Sequence, residues 1–215
     1  MAKTQTQRRT ETLEKLHLAT VKVIVNKGFS RLTTGDIVRE AGLSQGALFR
    51  YYPTKLAAVV GATYYTKRIP KEKLVEFCKK ETRPIFLLGG KEDAETAQSV
   101  ADICGNAINL CGKLSLHGSA YCVQQASVVI TSDTGLMHIA AAFRKPIVSI
   151  WGNTVPKFGM YPFYPEGMDL NTTIEVAGLR CRPCSKIGYD RCPKGHFKCM
   201  KEIRTEQVVA ALHLY

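Results

Sequence analysis

Polar and small residues follow an apolar run near the middle of the chain, in the order Ser132, Asp133, Thr134 and Gly135. The preceding run, residues 128–131, is too short for a helix and predicts a buried strand. Residues 135–143 are small, apolar and free of proline, so they predict a helix that Asp133 caps. Unpaired N–H groups and the helix dipole favour an anion at such a helix start. The spacing therefore predicts an anion-binding turn, with Gly135 allowing close approach and His138 one helical turn further along.

The plain alternative is that Asp133 only caps the helix and His138 only packs. For an isolated DTG tripeptide this alternative is preferred, because the tripeptide is common. The similarity is much longer than three residues, however. The segment TSDTGLMHIAAAFRKPIVSIWG closely resembles the donor-binding motif of glycosyltransferase family 9, the lipopolysaccharide heptosyltransferases. The resemblance extends through ATYYTKRIPKEKL, PIFLLGGKEDAETA and GNTVPKFGMYPF and covers residues 61 to 215.

In that family, this half of the molecule binds a nucleotide-diphosphate sugar, commonly ADP-heptose, and the resemblance implies the same ligand here. By motif, the implied donor contacts are Thr66, Lys67, Asp133, Thr134, Gly135 and His138. Without the resemblance, Lys67 is more simply a surface lysine. With it, Lys67 neutralises charge on the departing diphosphate. The pair Gly89-Gly90 is by itself a tight turn, and with the resemblance it places Asp93 near a ribose hydroxyl.

The elements that position these residues alternate regularly along the chain. Strand-like runs begin at residues 85, 107, 128 and 147, and helical stretches at 93–104, 115–125 and 134–143 separate them. This alternation predicts a parallel sheet whose ligands bind beyond the carboxyl ends of the strands. The predicted fold is therefore an α/β Rossmann-like domain, and the resemblance to family 9 implies that it is one half of a GT-B enzyme.

The N-terminal residues have a different pattern, that of three short helices. Apolar residues recur at helical spacing over residues 9–26, a second helix starts at Thr33 or Thr34 and ends at Gly42, and Ser44 caps a third. This outline predicts a small all-α helix-turn-helix domain. The segment GFSRLTTGDIVREAGLSQGALFRYYPTKLAAV resembles the DNA-binding domain of the TetR family of repressors. No linker separates the two patterns, and we place the boundary between residues 60 and 61.

The resemblance to TetR implies that the third helix enters the major groove of DNA. The implied DNA contacts are Thr34, Gln45, Gly46, Ala47, Phe49, Arg50, Tyr51 and Lys55. The plain alternative, that Arg50 is only a solvated charge, has less support than the functional interpretation. Because the dimer-forming domain of TetR proteins has no counterpart in the pattern, we expect weak, salt-sensitive and non-dimeric DNA binding.

The chain carries 30 Lys and Arg against 18 Asp and Glu, a net charge of +12 that indicates an anionic partner. Apolar runs are all much shorter than a membrane span, and the N-terminus MAKTQTQRRTETLEK has no apolar signal region. We therefore expect a cytoplasmic protein with no transmembrane segment.

The tail gathers four of the eight cysteines into 19 residues, Cys181, Cys184, Cys192 and Cys199, with His196 among them. Clustered cysteines in a cytoplasmic protein indicate a metal more often than disulfides. The set fits structural zinc, with His196 as an alternative ligand, or an iron–sulfur cluster. Six basic residues interleave with the cluster and predict a solvated loop: Arg180, Arg182, Lys186, Arg191, Lys194 and Lys198. The other four cysteines fit packed thiols.

Family 9 enzymes take their acceptor and their catalytic carboxylate base from the N-terminal half, and inverting transfer needs that base but no metal. Within residues 1–60, Asp36 and Glu40 are poor substitutes, and we identify no catalytic residue. We therefore expect donor binding with slow or absent transfer.

Three hypotheses remain. The chain is a chimera, natural or constructed, that retains only binding activities; or it is a DNA-binding regulator that responds to a sugar nucleotide; or it is an active heptosyltransferase that another chain completes. The abrupt junction favours the first. We also expect self-association through the surface that faces the absent acceptor domain.

Overall fold

The computed structural model of the chain describes residues 5–27, 34–44, 57–60, 67–164 and 168–215. Its contacts divide the chain into two compact units, Met1–Thr54 and Lys55–Tyr215. This division lies six residues before the boundary that we predict from the sequence. The reason for the difference is that Ala57–Val60 forms a strand of the C-terminal sheet, whereas the sequence pattern assigns these residues to the N-terminal domain.

The N-terminal unit contains helix α1 (Gln5–Lys27) and helix α2 (Thr34–Ala41). Their contact is apolar, with Leu16, Ala19, Ile37 and Val38 buried against one another. Helix α2 ends at Ala41, and the φ of 64° at the following Gly42 lets the chain turn sharply. The amides of the two residues after the helix then bond back to the carbonyls of Arg39 and Val38, which satisfies the end of the helix.

Most residues of the predicted DNA-reading surface lie outside the part of the chain that the structure describes. Thr34 is the first residue of α2. The other seven predicted DNA contacts are not described: Gln45, Gly46, Ala47, Phe49, Arg50, Tyr51 and Lys55.

The C-terminal unit is built on a six-stranded parallel sheet in the order β3-β2-β1-β4-β5-β6. The strands are β1 (Ala57–Val60), β2 (Ile85–Leu88), β3 (Ala107–Asn109), β4 (Val128–Thr131), β5 (Ile147–Trp151) and β6 (Asn171–Glu175). In register, Val59 of β1 lies between Leu87 of β2 and Ile130 of β4. The predicted α/β parallel sheet is therefore confirmed, and three of its strands have the predicted bounds.

Helices separate the strands along the chain. They are α3 (Lys71–Lys80), α4 (Ala94–Ile103), α5 (Leu116–Gln125), α6 (Gly135–Ala142), α7 (Lys198–Lys201) and α8 (Thr205–Leu212). The described side chains of β4 and β5 are all buried. Such fully buried, largely apolar strands are expected where helices cover both faces of a parallel sheet.

Helix α8 closes the unit by packing on α3. Val208 and Leu212 of α8 are fully buried in the same apolar cluster as Phe77 of α3. Polar contacts flank this packing: Lys80 Nζ lies 2.6 Å from Glu206 Oε1, and the hydroxyl of Thr205 donates to the carboxylate of Glu76. The final helix is therefore an integral part of the core of this unit. Within the described residues, no helix is both long and apolar enough to cross a bilayer.

Candidate functional site

The order in which the chain adds strands to the sheet reverses between β1 and β4. The chain runs from β1 outward through β2 to β3, then returns to place β4 on the other side of β1 and continues through β5 to β6. In a parallel sheet, this reversal opens a crevice at the carboxyl ends of the two central strands, where ligands bind. The segments that leave β1, β4 and their neighbours at this edge carry the predicted site residues.

Lys67 and Asp133 meet across this crevice. Lys67 lies beyond β1 and Asp133 beyond β4, and the Nζ atom of the lysine is 2.6 Å from Oδ2 of the aspartate. The two side chains are only 12% and 9% exposed. A shielded ion pair of this kind is costly to break from one side, because the remaining charge is left buried without compensation.

The next residue, Arg68, makes the corresponding contact on the other side of β1. Its Nε atom lies 3.5 Å from Oδ1 of Asp93, beyond β2. The other oxygen of Asp93 accepts from the N–H of Gly90 at 3.1 Å. Burial raises the pKa of Asp93, against the opposing effects of Arg68 and of that N–H. Gly89 is required here, because a Cβ atom on it would lie 2.5 Å from the Asp93 carboxylate.

Thr134, and not Asp133, caps helix α6. The Thr134 hydroxyl accepts from the N–H of Met137, and the Thr134 backbone is extended, as the capping position requires. This corrects the sequence interpretation, which gives the cap to Asp133. The physical reason is that the ion pair with Lys67 engages the Asp133 carboxylate at the end of β4.

Gly135 and His138 are exposed on the first turn of α6. A Cβ atom on Gly135 would meet no heavy atom within 4 Å among the described residues, so this glycine faces open space. The helix start is therefore accessible to a ligand, and a group bound there would lie close to the backbone. Thr66, another predicted contact, lies outside the described residues.

The geometry brings two cations, Lys67 and Arg68, to the switch point of the sheet beside the start of a helix. Each is held by a carboxylate from a neighbouring strand end, Asp133 on one side and Asp93 on the other. This arrangement can receive an anion with two negative centres, because the helix start and both cations favour negative charge. Sequence reasoning missed Arg68, for which it proposed no role.

The loop after β5 reaches the same edge of the sheet and is held by the tail. The Arg182 guanidinium donates to the carbonyl oxygens of Trp151, Gly152 and Thr154, and the Cys184 N–H donates to that of Asn153 at 2.8 Å. Four consecutive carbonyls are thus satisfied by residues 182–184.

The sequence prediction that Arg182 belongs to a solvated loop is therefore wrong. Its side chain is 6% exposed and also pairs with Glu175 at 2.9 Å, at the end of β6. The misassignment has a physical cause, since only the tertiary structure shows which carbonyls a basic side chain reaches.

The tail brings its cysteines into one neighbourhood. The Sγ atom of Cys181 lies 3.8 Å from Nε2 of His196, and the Cys184 thiol donates to the Cys181 carbonyl. Burial, together with the neighbouring thiols of Cys184, Cys192 and Cys181, raises the pKa of Cys199 to about 11. Within the described ranges, however, no three His, Cys, Asp or Glu side chains stand in a metal-binding arrangement.

The other four cysteines, Cys78, Cys104, Cys111 and Cys122, are buried and free, as the sequence predicts. Burial raises the pKa of Cys122 to about 12. Such thiols are protonated at neutral pH, and they pack as small apolar groups.

Two family models match the chain. The model described as glycosyltransferase family 9 (heptosyltransferase) matches residues 41–188, well over half of the chain. The model described as bacterial regulatory proteins, tetR family, matches residues 18–58. Both resemblances predicted from the sequence are therefore confirmed.

Curated relatives divide in the same way. Lipooligosaccharide heptosyltransferase 2 of Campylobacter jejuni is 29% identical over 135 residues, which are 60% of this chain and 40% of that protein. An uncharacterized HTH-type transcriptional regulator of Mycobacterium tuberculosis is 42% identical over 65 residues, 30% of this chain and 33% of that protein. The chain thus spans about two fifths of the length of the first and a third of the second.

Solved structures show the same fold. The glycosyl transferase family 9 protein from Veillonella parvula DSM 2008 aligns with a TM-score of 0.61 at 20% identity, over 93% of this chain and 51% of its own. The iron-containing dodecameric heptosyltransferase TibC in complex with ADP-D-β-D-heptose aligns with a TM-score of 0.51 at 19% identity, over 74% of this chain and 44% of its own. At these identities the alignments establish the fold alone.

Proposed function

From the premise that this chain belongs to glycosyltransferase family 9, we propose that its C-terminal unit binds a nucleotide-diphosphate sugar of the ADP-heptose type. The observation that carries the proposal is the shielded Lys67–Asp133 pair beside the open start of helix α6. Lys67 and the helix start bind the diphosphate, Asp133 positions Lys67, and Thr134, Gly135 and His138 line the accessible face. Asp93, held at the end of β2, contacts the ribose.

Transfer by this 215-residue chain alone is expected to be slow or absent. The catalytic base that inverting transfer needs has no candidate at the described site, because Asp133 and Asp93 are both engaged by cations. The two acidic residues of α2 are also paired, Asp36 with Arg39 and Glu40 with Lys22. The donor half therefore binds its ligand without completing the reaction.

Calorimetric titration with ADP tests this proposal, with GDP and UDP as controls. Saturable binding of ADP that exceeds the binding of either control is the expected result. Equal weak binding of all three nucleotides would contradict a built donor site. In the same preparation, ADP release from ADP-heptose with a lipooligosaccharide acceptor is expected to stay at the level of the acceptor-free control.

The N-terminal unit is proposed to bind DNA, because residues 18–58 match the TetR family model and α1 and α2 pack as a helical pair. The contacts implied by the resemblance include Arg50 and Lys55. A single copy contacts few phosphates, so its binding is weak, and its affinity falls with salt in proportion to those few contacts.

Fluorescence anisotropy with a labelled duplex checks the DNA proposal. With about three phosphate contacts, affinity is expected to fall about 40-fold between 50 and 200 mM salt. The Lys55→Ala variant is expected to reduce the slope of log affinity against log salt by about one, and Arg180→Ala, which removes an exposed charge from the cysteine-containing tail, is expected to leave it unchanged. An unchanged slope for the Lys55 variant would contradict the proposed contact.

The tail is proposed to hold a structural metal through Cys181, Cys184, Cys192 and Cys199, with His196 as the alternative ligand. The chemistry of the donor set supports the proposal, because thiols and one imidazole gather in one neighbourhood. They fit zinc or iron by donor type, and metal binding would turn the thiols toward a common point.

Elemental analysis of the purified chain checks the metal proposal. About one zinc or iron ion per chain is expected for a four-thiolate site, and acid-labile sulfide would identify an iron–sulfur cluster. The Cys184→Ser variant is expected to lose most of this metal, whereas Cys122→Ala, which alters a packed thiol elsewhere, is expected to retain it. Equal metal content in both variants would exclude the tail as the site.

A further inference from the structure

The loop after β5 contains buried polar side chains that lack partners. Both amide atoms of Asn153 and the hydroxyl of Thr154 have no hydrogen-bond partner among the described residues, and neither does the hydroxyl of Ser132. All three residues are at most 2% exposed. An amide or hydroxyl buried without a partner is costly, so native proteins seldom leave one unless a ligand or bound water meets it.

The position of these atoms indicates which ligand. Ser132 directly follows β4, and Asn153 and Thr154 follow β5, so all three lie at the carboxyl edge that holds Lys67 and Asp133. Burial without a partner is not by itself sufficient, since Oδ1 of Asn171 also lacks one. Asn171, however, begins β6 and therefore lies at the opposite edge of the sheet.

The backbone of this loop is fixed. Arg182 and the Cys184 N–H satisfy the carbonyls of residues 151 to 154, so the loop cannot easily rearrange to find partners for its own side chains. Gly152 adds to this constraint, because a Cβ atom there would lie 2.7 Å from the Met200 side chain. Rigid backbone with unpartnered side chains is the arrangement expected of a preorganised binding loop.

We propose that Asn153 and Thr154, with Ser132, bind hydroxyl groups of the sugar moiety, an assignment that rests on the proposed donor-binding function. The distance from the end of β2 to the end of β5 is three strand spacings, or roughly 14 Å. An extended nucleotide sugar can span this distance. With the diphosphate at Lys67 and the ribose at Asp93, the sugar extends toward β5. An amide both donates and accepts, as a sugar hydroxyl does.

Arg182 is then a positioning residue for this contact. It touches no part of the ligand in this arrangement, but its guanidinium fixes the carbonyls on both sides of Asn153. A lysine cannot reproduce this contact, because it lacks the planar fork that reaches three carbonyls at once.

Titration of the full chain with ADP and, separately, with ADP-heptose tests the assignment. The Asn153→Ala variant is expected to bind ADP within about twofold of the unaltered chain and ADP-heptose about tenfold more weakly, as for one lost pair of hydrogen bonds. Asn171→Ala is the matched control and is expected to change neither affinity. Thermal unfolding of both variants accompanies the titrations.

The outcomes separate this inference from the proposed function. If the unaltered chain binds neither ligand, the donor-binding function fails and the inference fails with it. If the unaltered chain binds ADP and ADP-heptose, and Asn153→Ala binds each with unchanged affinity, the donor-binding function is supported but the proposed sugar contact is wrong. The Asn153 amide is then satisfied by water. An equal loss of both ligands by Asn153→Ala would also overturn it, because the residue would not distinguish the sugar.

Discussion

Replacing Arg182 with alanine is expected to lower the free energy of unfolding of the C-terminal unit by about 3 kcal/mol, because several buried carbonyls lose their donor at once. In a domain of this size, the loss corresponds to a decrease in Tm of about 6–12 °C. The carbonyls at risk are those of Trp151, Gly152, Thr154 and Val176. Glu175, 39% exposed, loses its partner as well but can turn to water.

Thermal unfolding followed by circular dichroism measures this effect. Arg180→Ala is the control, since it removes an exposed arginine two residues away and is expected to shift Tm by no more than about 1 °C. Arg182→Lys keeps the charge without the fork and is expected to recover only a small part of the stability. If Arg182→Lys were as stable as the unaltered chain, charge and not the shared hydrogen bonds would hold the loop.

Replacing Lys67 with alanine is expected to weaken ADP binding about 100-fold, which is about 2.7 kcal/mol. Two effects act in the same direction. The diphosphate loses the cation nearest to the start of α6, and the Asp133 carboxylate, 9% exposed, is left without compensation where an anion must bind. Calorimetric titration with ADP measures the loss.

Two companion variants sharpen this test. Lys157→Ala removes an equal charge from an exposed turn after β5 and is expected to change ADP affinity less than about threefold, since screened surface charges act weakly. Asp133→Ala no longer holds Lys67, and the double variant also lacks the unpaired carboxylate, so it is expected to bind no more weakly than Lys67→Ala, the mark of two groups that act as a unit. Fully additive losses would instead mean that each residue contacts the ligand independently.

Sequence alone predicts the elements whose pattern is local. Strands β2, β4 and β5 are apolar runs between turn residues, and their bounds match the prediction. Strand β6, with the sequence NTTIE, is missed because an edge strand carries polar residues and has no apolar run. Strand β1 is apolar, but the same letters also fit the end of the TetR pattern.

The candidate site is likewise predictable from the sequence only where its pattern is local. The turn Asp133 to Gly135 is predictable because its residues adjoin in sequence, whereas the Lys67–Asp133 pair joins residues 66 positions apart and depends on the strand order. Asn153 lies in the segment GNTVPKFGMYPF, which carries the family resemblance but assigns this residue no role, and Arg182 belongs to no recognisable motif. Arg182 matters because it donates to the backbone carbonyls of the loop, and Asn153 matters because its own side-chain amide has no partner among the described residues. Both facts depend on the tertiary structure.

The packing of helix α8 on α3 affects how the unit can be synthesised. Lys80 and Glu206 are 126 positions apart, and the apolar surface around Phe77 is covered only when residues 205–212 are in place. A growing chain therefore carries an incomplete core until residues 205–212 have left the ribosome, and exposed apolar surface of this kind promotes aggregation. Folding of this unit during synthesis is consequently expected to be sensitive to chaperone capacity.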